Sequence, residues 1–170
     1  MIERKVANAA LAPIWDPIAV RLCFDAGVGG QFPLRFGGKI GPASGQPVDA
    51  QVTVIGLKRD GWQSFGPTQV PLGDCAAVRL GGIEVVLISN RTQALGLELF
   101  RNVGIEPVSK KLVVVKSTNH FMGNFGPIAE QVIYVESDGP LRRDYRTIPY
   151  TRVQRPIWPL DQETQPALLI

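Results

Sequence analysis

One stretch, residues 111–136, restricts the fold more than any other part of the chain. It reads KLVVVKSTNHFMGNFGPIAEQVIYVE, in which an apolar run stops at small polar residues and restarts after a helical pattern. Leu112 to Val115 is short and rich in β-branched residues, which is typical of a strand buried on both faces. The apolar residues that follow at helical spacing are Phe121, Phe125, Ile128, Ala129 and Val132. The stretch therefore predicts a central strand at 112–116, a helix over 119–131 and a second strand over 132–136.

Polar residues fill the turn between this strand and this helix. Ser117, Thr118 and Asn119 are residue types that cap helices, because their side chains accept hydrogen bonds from free backbone amides. His120, the only histidine of the sequence, comes directly after them. Polar groups at the carboxyl end of a buried strand are well placed for function. Gly126-Pro127 interrupts the helical pattern, so two short helical pieces are the alternative to one helix.

The composition predicts a single domain that can bury a proper core. The chain has 170 residues, of which 45% are hydrophobic and 19% charged. No apolar run reaches membrane length and the first residues do not read as a signal peptide, so we expect a cytoplasmic protein with no membrane partner. Cys23 and Cys75 lack metal-ligand spacing, and two buried reduced thiols are favoured over a disulfide. A net charge of +3 is too small to indicate a nucleic-acid partner.

The segments before residue 111 predict a helix and several further strands. Asp16-Pro17 starts a helix over 16–26, because aspartate caps free amides and proline is tolerated at the first helical position. Its expected buried stripe is Ile18, Ala19, Leu22, Cys23 and Ala26. The strand at Phe32 to Phe36 contains Pro33, which cannot donate a ladder hydrogen bond, so this strand should lie at an edge or bulge. Alternating apolar residues predict strands at 52–57, 76–80 and 83–89.

Two glycine-containing turns should make part of the sheet antiparallel. Asp60-Gly61 and Gly81-Gly82 both supply residues that tolerate positive φ, so a hairpin turn is expected at each. The predicted fold class is a mixed α/β domain, with a mixed sheet that contains hairpins and a strand-helix-strand unit, flanked by helices. Within this single domain, residues 139–170 are expected to form an extended arm, since they carry Arg142, Arg143, Arg146, Arg152 and Arg155 among prolines.

Six segments are spread along the chain from residue 13 to residue 161, in this order: PIWDPIAV (13–20), GGKIGPASGQP (37–47), GGIEVVLISNRTQAL (81–95), FRNVGIEP (100–107), VVVKSTNHF with FGPIAEQVIYV (113–121 and 125–135), and RPIWPLD (155–161). Together they resemble the C-terminal domain of the MlrC (microcystinase C) type zinc metallopeptidases. The resemblance implies a longer bacterial hydrolase of peptide-like substrates, whose N-terminal domain holds the zinc and its activated water. This chain would then shape the substrate cleft, and its partner would be that N-terminal domain or a separate chain carrying it.

The sequence departs from the family pattern in two places. A glycine-rich segment that leads into this domain in full-length relatives is not present, and LGLE at 95–98 replaces a more polar helix start. We therefore expect either a fragment or a short natural gene product, and both readings stay open. The isolated chain should expose apolar surface and self-associate, for example as a homodimer, through the N-terminal segment, the loop at 37–45 or the first helix.

The residue types of the chain do not predict a zinc site of its own. A zinc site needs three or four converging His, Cys or carboxylate ligands, and the sequence holds one histidine, two cysteines and no HExxH pair. We therefore expect no cofactor in this chain and no peptidase activity from it alone. His120 is a candidate auxiliary catalytic residue, as a hydrogen-bond donor or an acid–base group, with a purely local cap as the alternative.

The glycine-rich loop at 37–45 is the remaining candidate site. Its backbone amides and Lys39 could cradle an anion, although the loop fits neither the P-loop nor the dinucleotide-binding pattern. The alternative is a plain connection that needs several residues with positive φ. The candidate substrate- or anion-binding residues are Lys39, Gly38, Gly41, Ser117 and Asn119.

Three classes of function therefore compete. The first is the C-terminal domain of an MlrC-like zinc-dependent peptidase or amidohydrolase. The second is a stand-alone, non-catalytic binding or assembly module, and the third is a small anion-binding protein that uses Lys39. Nucleic-acid binding is not expected, because Asp144, Asp161 and Glu163 dilute the positive charge of the arginines in residues 139–170.

Overall fold

The computed structural model describes residues 1–137 and 144–161, within which the chain forms a six-stranded mixed sheet. The strands are β1 (Ala9–Trp15), β2 (Gln31–Phe36), β3 (Val48–Phe65), β4 (Thr68–Leu80), β5 (Ile83–Ile88) and β6 (Leu112–Val115). Their order across the sheet is β2-β3-β4-β5-β1-β6. β1 runs parallel to both β5 and β6, whereas β2 to β5 form antiparallel pairs. The mixed class and the hairpin at Gly81-Gly82 are thus confirmed.

Short helices cover the two faces of the sheet. They are α1 (Pro17–Ala26), α2 (Glu98–Arg101) and α3 (Met122–Phe125), and 3₁₀ turns lie at Pro42–Ser44, Pro107–Ser109, Gly126–Ile128 and Tyr145–Thr147. One core lies between α1 and the sheet and includes Ala19, Val20 and Cys23. The other core packs α2 and α3 on the opposite face and includes Phe100 and Phe125. The domain is therefore a sheet with a separate apolar core on each side.

The buried stripe of α1 is narrower than its sequence predicts. Ala19, Val20 and Cys23 are buried, whereas Ile18 and Leu22 are 66% and 44% exposed and Ala26 is also exposed. Because the small side chains of Ala19 and Cys23 face the sheet, only the residues directly beneath the helix axis are covered. The helix consequently presents apolar side chains to its surroundings.

The strand predicted to be central, β6, lies at an edge of the sheet. Among the strands that the structure describes it pairs with β1 alone, and Leu112 is 40% exposed while the three valines are half-buried. Val113 and Val115 pack on the core beside α2 and α3. A continuous β-branched run fits an edge strand of this kind as well as a central strand. One face of β6 packs on a core and its other face is half-covered, so apolar side chains are suitable on both faces. The sequence pattern alone could not distinguish the two positions.

The second strand of the predicted strand-helix-strand unit does not form. Residues 132–136 have no regular secondary structure, and Ile133 and Val135 are 71% and 86% exposed. The helix predicted over 119–131 is reduced to α3 and the 3₁₀ turn at Gly126–Ile128, which matches the alternative of two short pieces. A helix of four residues is about 6 Å long, which is too short to carry the chain back alongside β6 as a parallel crossover requires.

The chain does not turn at Asp60-Gly61, where a hairpin was expected. Strand β3 continues through these residues to Phe65, and the reversal into β4 comes at Gly66-Pro67. Asp60 has φ of 49°, and the register with β4 shifts on both sides of Gly61. A residue with positive φ can form a bulge within a strand as well as a turn. The bulge lengthens the hairpin and carries Phe65 out towards the polar turn after β6.

The remaining expectations concern the cysteines, the arm and membrane spans. Cys23 and Cys75 are buried, free and in different cores, as reduced thiols should be.

Arg142 and Arg143 of the predicted arm lie outside the described residues, and the arm stays a prediction. Of its other arginines, Arg146 pairs with Asp144 and Arg155 with Asp161. No helix in the described parts of the chain has the length and apolarity to cross a membrane.

Candidate functional site

Three parallel strands end at the same edge of the sheet and bring polar residues together there. β1 ends at Trp15, β5 at Ile88 and β6 at Val115. Their continuations are Asp16, residues 89–93 and residues 116–120. Because ligands in sheets of this kind bind beyond the carboxyl ends of parallel strands, this edge is the candidate site.

Gln93 joins the loop after β5 to the turn after β6. Its side-chain nitrogen Nε2 lies 3.0 Å from Nδ1 of His120, and its side-chain oxygen Oε1 accepts a hydrogen bond of 2.8 Å from the Ser117 hydroxyl. Ser117 and Gln93 are half-buried, whereas His120 is exposed. We call these three side chains the Gln93 cluster. It places two of the residues singled out from the sequence, Ser117 and His120, in one hydrogen-bonded group.

Gln63 fixes the backbone of the loop that carries Gln93. This side chain, on β3, is 0% exposed. Its Nε2 donates to the Gln93 carbonyl oxygen at 2.8 Å, and its Oε1 accepts from the backbone nitrogens of Leu95 and Gly96 at 2.9 and 3.2 Å. Since a buried amide that satisfies three backbone groups is costly to displace, the loop is held in one position.

The hairpin of β3 and β4 supplies an aromatic side chain beside the cluster. The rings of Phe65 and His120 meet edge-on, with centroids 5.2 Å apart and planes at 72°. Close by on β3, the Ser64 backbone nitrogen and hydroxyl donate to one oxygen of Glu98, at 3.1 and 2.9 Å. Burial raises the pKa of Glu98, but these hydrogen bonds lower it more, so the carboxylate stays ionised. It ties the hairpin end to α2.

Asn119 begins the short helical segment rather than joining the Gln93 cluster. Its carbonyl oxygen accepts a hydrogen bond from the backbone nitrogen of Met122, and its side chain is exposed. Asn119 therefore stands one residue from His120 on the solvent side of the turn.

The glycine-rich loop is held at Asp16, the first residue after β1. Lys39 Nζ lies 2.7 Å from Asp16 Oδ2 and donates to the Arg35 carbonyl oxygen at 2.9 Å. Gly38 has φ of +61°, and a side chain there would overlap the backbone of Gln46 and Pro47. A side chain at Gly41 would meet open space. The loop conformation thus requires glycine at position 38, and the charge of Lys39 is partly neutralised by a carboxylate.

An arginine and a tryptophan that the sequence analysis did not single out lie at the same edge. Trp15 Nε1 donates to the Ser89 carbonyl oxygen at 2.8 Å, which fixes the indole. The guanidinium carbon of Arg91 lies over this indole, 5.4 Å from the ring centroid. Arg91 is exposed, and among the residues that the structure describes it forms no salt bridge. Gln93 and Arg91 could both have been predicted, because they follow the apolar run of β5 directly.

The side chains that the structure describes do not fit a zinc ion. Within residues 1–137 and 144–161, no three His, Cys, Asp or Glu side chains come together in a way that could hold a metal. His120 contacts Gln93 and Phe65, and neither of these is a good zinc ligand. No step of a reaction is therefore assigned here to a metal held by this chain.

The fold and the edge site define an α+β domain whose mixed six-stranded sheet brings polar side chains together at the carboxyl ends of its parallel strands. Residues 1–152 match the family described as "MlrC C-terminus". The chain belongs to this family.

Two relatives show how this domain occurs in longer proteins. The chain is 35% identical to "Microcystinase C" of Sphingomonas sp over 161 residues, which cover 95% of this chain and 31% of the relative. It is also similar, with a TM-score of 0.76 and 27% identity, to the crystal structure of a "putative metallopeptidase" from Mesorhizobium sp. BNC1, over 90% of this chain and 31% of that one. The chain thus spans about a third of the length of these relatives.

Proposed function

We propose that this chain is the C-terminal domain of an MlrC-like zinc-dependent peptidase or amidohydrolase, in which it forms one wall of the substrate cleft. The observation that carries the proposal is the Gln93 cluster at the carboxyl ends of β5 and β6, in a chain that belongs to the MlrC family. The names of the two relatives, a microcystinase and a metallopeptidase, support a hydrolase that acts on a peptide-like substrate such as microcystin.

In this proposal the zinc ligands lie in the additional sequence of the longer proteins. The support is the mismatch between the side chains described above and a zinc site, together with the 31% share of each relative that this chain covers. The N-terminal metallopeptidase domain is then the partner of this chain, on the same or a separate polypeptide. The carboxyl edge of the sheet would face that domain.

The candidate residues take different roles in the proposal. His120 is an auxiliary residue that reaches into the cleft, and Ser117 and Asn119 contact the substrate beside it. Gly38, Lys39 and Gly41 belong to a loop near the domain boundary. Because Asp16 already pairs with Lys39, the loop acts as a fixed part of the cleft wall. The same ion pair argues against a separate anion-binding function for Lys39.

An exchange of domains tests the proposal. The matching segment of microcystinase C is replaced by this chain, and zinc content and hydrolysis are measured with a peptide that the intact relative cleaves. We expect the exchanged protein to bind zinc and to hydrolyse the peptide, whereas the relative without its C-terminal segment does not hydrolyse it. A folded, zinc-loaded exchanged protein without activity would overturn the proposal, as would full activity of the shortened relative.

A groove on the α1 side of the sheet favours a second candidate, an assembly module. The groove has a volume of about 360 Å³ and is lined chiefly by apolar side chains: Met1, Ile2, Leu11, Ile14, Phe36, Val48, Leu80, Ile83 and Val85, with Glu3 at its rim. Ile2 is 52% exposed. Two copies of the chain could cover such a surface by symmetric pairing. In this candidate the chain forms a homodimer and has no catalytic role.

A further inference from the structure

Gln93 approaches the imidazole of His120 from a direction that determines where the ring carries its proton. Gln93 Nε2 lies 3.0 Å from His120 Nδ1. A side-chain amide nitrogen can only donate a hydrogen bond, so Nδ1 must accept this one. An accepting Nδ1 carries no proton, and the single proton of the neutral ring then lies on Nε2.

Ser117 contacts the side-chain amide of Gln93, and Gln63 fixes the backbone of the same residue. The Ser117 hydroxyl donates to Gln93 Oε1 at 2.8 Å, which leaves Nε2 of the same amide facing His120. Gln63, fully buried, donates to the backbone carbonyl of Gln93 at 2.8 Å. Strand β3, the loop after β5 and the turn after β6 therefore meet at one side chain.

We propose that Gln93 is a positioning residue that presents the Nε2–H group of His120 as a hydrogen-bond donor to an oxygen atom of a bound ligand. His120 is exposed, and Phe65 stands edge-on beside its ring, so the donor borders an apolar wall. A donor held in place before the ligand arrives stabilises negative charge that develops on an oxygen. The inference rests on the proposed function in one respect: the oxygen is the carbonyl or carboxylate oxygen of a peptide-like substrate. In that role His120 donates and does not act as a general base.

The proton position can be measured on the isolated chain, without any activity. The sequence contains one histidine, so long-range proton–nitrogen correlation NMR of the ¹⁵N-labelled chain reports one imidazole without further assignment. The spectrum is recorded over a pH series and interpreted in the range where the two ring-nitrogen shifts no longer change with pH. We expect one tautomer, with a protonated Nε2 and an unprotonated Nδ1. A protonated Nδ1, or a rapidly averaged mixture of the two tautomers, would overturn the inference.

Two substitutions separate this contact from general effects on the turn. Gln93→Glu keeps the shape of the side chain but offers only acceptor oxygens, so Nδ1 should become protonated. Thr118→Ala, at an exposed neighbour without a role in the cluster, should leave the tautomer unchanged. An unchanged Nδ1 in folded Gln93→Glu would contradict the assignment, as would an equal change in Thr118→Ala.

Substitutions of His120 in the exchanged protein, microcystinase C with this chain as its C-terminal segment, distinguish a hydrogen-bond donor from a general base. Glutamine retains an N–H donor but cannot act as a base at neutral pH, whereas alanine provides neither. We expect kcat/KM to fall at least tenfold in His120→Ala and to recover in large part in His120→Gln. Equal losses in the two variants would overturn the donor role. If the exchanged protein is inactive but the tautomer is as expected, the proposed function fails while the positioning role of Gln93 stands.

Discussion

Lys39 Nζ lies 2.7 Å from Asp16 Oδ2, on a carboxylate whose side chain is only 3% exposed. The same carboxylate accepts hydrogen bonds from the backbone nitrogens of Ala19 and Gly37, both at 3.0 Å. Asp16 therefore caps α1 and fixes the start of the glycine-rich loop at the same time. The lysine that the sequence indicated as an anion ligand serves, in the structure, to hold this loop against the helix.

Removing the Asp16 carboxylate should destabilise the domain. Asp16→Ala is expected to lower the free energy of unfolding by about 2–4 kcal/mol, because a lost helix cap costs about 0.5–2 kcal/mol and the Gly37 amide and Lys39 ammonium also lose their partner. Denaturant unfolding measures the difference.

A matched control for this prediction lies on the neighbouring strands. Arg35 and Asp49 form an ion pair of 2.6 Å, but their side chains are 64% and 60% exposed. Exposed pairs contribute little to stability, so Asp49→Ala should have a much smaller effect than Asp16→Ala. Similar losses in the two variants would show that Asp16 does not have the double role assigned to it.

Glu84 should make the stability of the domain depend on acid pH. Its carboxylate lies 2.7 Å from Lys110 Nζ and 3.0 Å from the Arg79 guanidinium, and it is 12% exposed. Burial raises the pKa of Glu84, but the hydrogen bonds and charges of Lys110 and Arg79 lower it more. A lowered pKa in the folded state stabilises the protein above the unfolded-state pKa of about 4.3, and this contribution is lost as the pH falls through the folded-state value.

Glu84→Gln is therefore expected to lower the free energy of unfolding by about 1–3 kcal/mol at pH 7, as for a hydrogen-bonded charge. The difference from the unmodified chain should shrink as the pH falls below about 4.3, because the carboxylate is then protonated first in the unfolded chain and, at lower pH, in the folded chain as well. Denaturant unfolding over a pH series measures it. Glu106→Gln, in an exposed pair with Arg101, is the control and should change the stability little. A constant difference over the whole pH range would contradict the linkage.

The two thiols should be unreactive in the folded chain. Burial, and to a smaller extent the Asp16 carboxylate, raises the pKa of Cys23 to about 11. Burial, and next the Asp74 carboxylate, raises the pKa of Cys75 to about 12. Because the thiolate is the reactive form, iodoacetamide at pH 7 should label neither cysteine until denaturant is added, and then both. Mass spectrometry counts the labels. Rapid labelling of the native chain would contradict the burial of these two thiols.

The sequence predicted the elements whose signals are local. Asp16-Pro17 marks the start of α1, Pro33 places β2 at an edge, and the glycine pair at 81–82 forms a hairpin turn. Ser117 and His120 lie at a strand end, as the polar turn indicated. Each of these features depends on a backbone preference of one or two residues, which a single sequence displays directly.

The features that the sequence did not predict depend on distant partners. Whether β6 is central or at an edge depends on which strands flank it, and a run of valines is compatible with both positions. A positive φ at Asp60 permits a bulge as well as a turn, and only the pairing with β4 decides between them. Gln63 and Gln93 lie 30 residues apart and meet only in the folded chain. Polar residues of this kind have no sequence pattern until the sheet order is known.

The groove beneath the N-terminal segment should cause the isolated chain to self-associate. We expect sedimentation at micromolar concentration to give a dimer, and Ile2→Lys to shift it to the monomer, because Ile2 is 52% exposed and lines the groove. Ile133→Lys is the control, since this isoleucine is 71% exposed but does not line the groove. A monomeric unmodified chain, or equal effects of the two variants, would contradict the use of this surface in assembly.

Zinc content and peptide hydrolysis of the isolated chain test whether the metal site lies outside this chain. We expect far less than one zinc ion per chain after purification without chelators, and no hydrolysis of a peptide that microcystinase C cleaves, with or without added zinc. Elemental analysis gives the ratio of metal to chain, and the His120→Ala variant serves as a reference for non-specific binding, because it lacks the one imidazole of the sequence. The proposal that the zinc ligands lie outside this chain would be contradicted by one tightly bound zinc ion per chain that is lost in His120→Ala, together with hydrolysis by the isolated chain.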